Sequence, residues 1–124
     1  MITTQMIIDF MKNCEQNYTN ICEKYIDDPN KYNQELSSNS KAFTKLFAKY
    51  RLYLEEDVLK NRELILELLE FRVRLCANRC KIVTINQHDS SKQAQHLKIQ
   101  ALSRYIYDLH ELNHKIVDKL EKLV

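Results

Sequence analysis

The chain holds no glycine in 124 residues and a single proline, Pro29. Glycine is the usual occupant of backbone positions with φ > 0. Without it, the two-residue turns of β-hairpins and the loops that cradle phosphate lose their normal building material. The sequence therefore predicts an all-α fold, a small antiparallel helical bundle of three or four helices with coiled-coil-like heptad packing. A chain of this length reads as one domain spanning residues 1–124. Hydrophobic residues make up 44%, enough to build a core and too many for a disordered chain. The 19 basic and 17 acidic residues leave a net charge of +2, which names no partner.

The first helix is expected over about residues 4–27, with Thr4 as its cap. Ile7, Met11, Cys14, Tyr18, Ile21 and Tyr25 recur at alternating gaps of four and three and form one apolar stripe. Asp28-Pro29 ends this helix, since the residue before proline is pushed out of helical geometry, although Asp28 as cap and Pro29 as first helical residue can open a short turn through Leu36. Residues 28–40 read as a linker that closes on Ser37, Ser38, Asn39 and Ser40. From about residue 41 to 87 one heptad register holds through Phe43, Phe47, Tyr50, Leu54, Asp57, Asn61, Leu64, Leu68, Phe71, Leu75, Asn78, Ile82 and Ile85. That stretch is either one helix of about 70 Å or two helices split between Glu55 and Asn61, and the split is preferred because single helices of this length are uncommon in small domains.

A turn is expected over Asn86–Ser91, with Ser90 and Gln93 forming a capping box for a last helix over about 90–123. There Ile99, Leu102, Ile106, Leu109, Asn113, Ile116, Leu120 and Leu123 occupy successive heptad core positions, and Asn113 is the kind of buried amide that fixes register. The central stretch carries a second stripe, Leu66, Leu69, Val73, Cys76, Cys80 and Val83, set opposite the first by helical-wheel arithmetic. A helix apolar on two sides calls for cover on two sides, from the N-terminal helix or from another molecule. This second stripe, with Asn113, Ile116 and Leu120, is the expected contact surface.

Several constellations point toward chemistry. His110-Glu111-Leu112-Asn113-His114 matches H-E-x-x-H, but no third ligand follows at a usual spacing, so one boundary and one solvated histidine is the preferred reading. Cys76 and Cys80 share a helical face, and a fold-back near His88 brings His96 level with Cys80, which makes Cys76, Cys80 and His96 an alternative metal site beside the commoner reading of buried thiols. Arg104 and His110 are separated by five residues, with Tyr105 rather than a polar residue after the arginine. This spacing resembles the R-x4-6-H motif of the HEPN family, small four-helix-bundle RNases, and the resemblance implies Arg104 and His110 as an alternative catalytic pair acting on a scissile phosphate. The stretch LILELLEFRVRLCANRCKIV is similar to the long helix of the helical chorismate mutases, where a lysine follows the arginine by eleven residues; counted from Arg72, that position holds Val83.

Two basic stretches complete the candidates: Lys41, Lys45, Lys49 and Arg51 on one, and Arg72, Arg74, Arg79 and Lys81, with no acid nearby, on the other. Either suits nucleic acid or an acidic protein, but the aromatics interleaved with the first follow the core register, which favours burial over base stacking. The opening MITTQMIIDFMKNC shows no basic leader, and no run approaches bilayer length, so a cytoplasmic or otherwise intracellular protein without membrane partner is expected. The sequence thus leads to a helical interaction module, an adaptor, assembly subunit or inhibitor, that acts by self-association, most simply as a dimer, or by partner binding. No cofactor is expected.

Overall fold

The computed structural model describes the backbone of residues 2–25, 28–88 and 92–124. It is all-α among the described residues: α1 (Thr4–Lys24), α2 (Pro29–Leu54), a 3-10 turn (Glu55–Asp57), α3 (Val58–His88) and α4 (Lys92–Glu121). Each helix packs on its neighbours in chain order, and α4 closes the ring on α1. All four junctions are antiparallel. Phe10 meets Phe43 across α1 and α2, Phe43 meets Phe71 across α2 and α3, and Arg74 reaches the Asp108 carbonyl across α3 and α4. The result is an up-and-down four-helix bundle.

Most of the expected core positions that are described point inward; the side chains of Asn78, Ile82, Ile85, Ile99 and Leu102 lie outside the described ones. Ile7, Met11, Cys14, Tyr18 and Ile21 of α1 are buried, as are Phe43, Phe47, Tyr50 and Leu54 of α2, Leu64, Leu68, Phe71 and Leu75 of α3, and Leu109, Asn113, Ile116 and Leu120 of α4. Phe43 stacks on Phe47 at 5.8 Å and tilts onto Phe71 at 5.0 Å, so these rings join α2 to α3 at mid-height.

Helix ends depart from the sequence reading in instructive ways. The cap of α1 is Thr3, one residue before the expected Thr4; its side chain accepts from the Met6 N–H at 3.2 Å. Asp28 caps α2 by accepting from the Lys31 N–H at 3.1 Å, and Pro29 is the first helical residue, where its missing N–H costs nothing. The expected linker over 28–40 is wrong beyond Asp28, because α2 runs unbroken through Ser37, Ser38, Asn39 and Ser40. Leu36 and Phe43 are both buried and bracket this polar run, and Thr44 Oγ1 donates back to the Ser40 carbonyl at 2.9 Å. Tertiary burial on both sides overrides the weak helix preference of four small polar residues. Likewise Asn86, Gln87 and His88 belong to α3 rather than to a turn; Ser90 lies outside the described residues.

The central stretch splits at Glu55–Asp57, and its two polar core-register residues build the break. Asp57 Oδ1 accepts from the Lys60 N–H at 3.2 Å, the geometry of an N-cap for α3. Asn61 Nδ2 donates to the Leu54 carbonyl at 3.1 Å, satisfying an end group of α2. No described residue has positive φ, so the chain reverses through right-handed helical geometry, as its lack of glycine requires.

Candidate functional site

Folding α2 against α3 about Asp57 brings together features that lie thirty residues apart. Residues of α2 and α3 whose numbers sum to about 114 come level, as Phe43 and Phe71 do. Lys41 and Lys45 therefore stand beside Leu69 and Val73. On the outer side of this pair lies an open groove of about 790 Å³ lined by Ser40, Lys41, Thr44 and Lys45 from α2 and by Leu69, Arg72, Val73, Leu75 and Cys76 from α3.

The groove has an apolar strip and a basic flank. Val73 is 59% exposed and Leu66, one turn before Leu69 on the same stripe, is 54% exposed. Cys76 is exposed and Leu69 is half-buried against the core. Of the two covers expected for this stripe, the N-terminal helix or another molecule, the first is not found, because among the described residues α1 packs on α2 and α4 and not on α3. In a four-membered ring α1 and α3 stand on the diagonal, and the inner face of α3 is already filled by its first stripe. Cys80 and Val83 lie outside the described side chains.

Lys41, Lys45, Lys49 and Arg72 are exposed and have no ion-pair partner among the described residues. The other described basic residues of these runs are engaged: Arg51 pairs with Glu55, and Arg74 pairs with Glu70 at 3.0 Å while donating to the Asp108 carbonyl at 3.2 Å. The acid-free reading of the second basic run is corrected by Glu70, which lies four residues before Arg74 on the same face. Arg79 and Lys81 lie outside the described side chains. Phe43, Phe47 and Tyr50 are buried, and only Tyr53 of that interleaved aromatic set is exposed.

The C-terminal part of the expected contact surface is internal. Asn113, Ile116 and Leu120 are buried in the chain's own core, so they are not available to a second molecule. Their heptad pattern is spent on α1 and α3, the two helices that α4 touches among the described residues. Asn113 Nδ2 donates to the Met11 carbonyl at 2.9 Å and lies 3.4 Å from Glu15 Oε2. Cys14, beside that junction, is buried, and burial pushes its thiol up to about 12, with the nearby Glu15 charge adding and a Tyr18 hydrogen bond opposing.

The candidate chemical residues are dispersed. His110 Nδ1 donates to Glu15 Oε1 across α1 and α4, and its ring meets His114 edge-on at 4.6 Å. Arg104 is exposed nearly two turns earlier on α4, about 120° around the helix from His110. The space beside His110's helix, lined by Glu15, Tyr18, Phe71, Ile106, Leu109 and Asn113, amounts to about 10 Å³, the room of a single water and not of a substrate. Cys76 and His96 are both exposed, Cys80 lies outside the described side chains, and no group of three or more His, Cys, Asp or Glu among the described residues is placed to hold a metal ion. No described helix is long and apolar enough to cross a membrane.

The groove is not visible in the sequence as such, since its basic flank and apolar strip stand there as separate features. Placing the reversal at Asp57 and pairing residues by their sum is the signal that unites them. Comparison with protein-family models, with curated proteins and with solved structures gave no match.

Proposed function

We propose that the chain is a helical interaction module that docks a partner along the outer face of α2 and α3. One observation carries this reading: the first stripe of α3 is buried in the bundle core, yet α3 still presents Leu66, Val73 and Cys76 to solvent beside Lys41, Lys45 and Arg72, which have no ion-pair partner among the described residues. Contiguous apolar surface rimmed by charge is a mark of association sites. An adaptor, an assembly subunit and an inhibitor all work through such a face, and none needs a cofactor.

A photo-cross-linking side chain placed at position 73 tests this in the native host. Cross-links are expected at position 73 and not at exposed position 111 on α4. Equal yields at the two positions would contradict the reading.

A further inference from the structure

We infer that the occupant of the α2–α3 groove is an acidic amphipathic helix of a partner protein, an inference that rests on the proposed docking role and names the partner's chemistry. The strip is aliphatic: Leu69, Val73 and Cys76 span two helical turns, which suits apolar anchors at i, i+3 or i+4, and i+7 of a helix laid between two others. Along its α2 side run Lys41 and Lys45, one turn apart, with Arg72 of α3 in the same lining. Three cations beside an aliphatic strip complement a helix whose apolar face is edged by Glu or Asp.

The same arrangement disfavours the other occupants. A second copy docked groove to groove by two-fold symmetry would gather Lys41, Lys45 and Arg72 of both chains in one interface, with no acid in the lining to offset them. Single-stranded nucleic acid binds through aromatic platforms, and here Phe43, Phe47 and Tyr50 face the core. What remains for a polyanion is charge without stacking.

Charge reversal separates these occupants. Lys41→Glu, Lys45→Glu and Arg72→Glu, combined, change only exposed positions and leave the bundle folded by circular dichroism. In the host, the cross-link from position 73 is expected to fall by about tenfold in the reversed protein. In vitro, a labelled peptide of about 20 residues, long enough to hold a helix, with a leucine stripe edged by Glu binds the natural chain, and its Lys-edged counterpart binds the reversed one. Single reversal of Arg72 gives an intermediate loss. An undiminished cross-link in the reversed protein overturns the acidic partner while leaving the docking role intact. Tight binding of oligouridylate that reversal abolishes, or a dimer that Val73→Asp dissolves, also overturns it. Loss of preference for position 73 over position 111 removes the docking role itself.

Discussion

Asn113 on α4 donates its side-chain amide to the backbone carbonyl of Met11 on α1 at 2.9 Å, inside a core where it is 4% exposed. Its Oδ1 has no hydrogen-bond partner among the described residues. The residue thus fixes how α4 sits on α1 at a cost in stability, the role of a lone polar residue in a heptad seam. Asn113→Leu is expected to raise the thermal midpoint while loosening that register. Asn113→Asp puts a carboxylate beside Glu15 and is expected to cost about 2–4 kcal/mol at neutral pH. Denaturant unfolding of both variants checks the opposite signs.

The reversal between α2 and α3 rests on Asp57 and Asn61. Asp57→Ala and Asn61→Ala are each expected to cost about 1 kcal/mol, the worth of a cap or a single hydrogen bond. Replacing both by leucine restores an unbroken apolar register, and sedimentation is expected to show a domain-swapped dimer with α2 and α3 run together. A monomer with unchanged stability would show that the turn is fixed by packing elsewhere.

Stability should fall in alkali. The Cys14 thiol is pushed from 9.0 up to about 12 by burial, so its neutral form favours the folded state. That contribution is complete below the unfolded-state value and is lost as pH rises from about 9 toward 12. Tyr50, raised by burial against the opposing hydrogen bond with Thr4, acts with the same sign from about 10 upward. Cys14→Ala should be less stable than the natural chain at pH 7, and the gap should close as pH climbs. A gap independent of pH would contradict the assignment.

The inner and outer faces of α3 should respond oppositely to truncation. Phe71 is 1% exposed and touches Phe43, so Phe71→Ala is expected to cost about 3–5 kcal/mol. Val73→Ser, two residues on, is expected to change stability by less than about 0.5 kcal/mol. Urea titrations of the two variants read this contrast.

Much of the bundle was legible because burial follows heptad phase. The heptad positions Phe43, Phe47, Tyr50 and Leu54, then Leu64, Leu68, Phe71 and Leu75, point inward, as do Leu109, Asn113, Ile116 and Leu120. The same regularity does not by itself reveal the hairpin: Asn61 follows Leu54 by seven positions, so the phase survives the reversal and a straight rod and a folded one share a pattern. The polar character of Asp57 and Asn61 marked the place of the break, and the length of an unbroken rod favoured it. The serine-rich run at 37–40 misled because local preference is weak against Leu36 and Phe43 on either side. The exposed face of α3 was partly legible. The outer stripe of α3 could be read from spacing, but the same spacing placed Asn113, Ile116 and Leu120 on a surface, when an antiparallel neighbour within the chain buries them.

Reactivity of Cys76 toward a thiol reagent, mapped by mass spectrometry on the peptide between Arg74 and Arg79, measures the outer face most directly, with buried Cys14 as the internal control. In the purified chain Cys76 should react readily and Cys14 should not; in a gently prepared extract of the native host, Cys76 should be protected by about tenfold or more. Equal Cys76 reactivity in both preparations, with Cys14 inert throughout, would contradict a docked partner on α2 and α3.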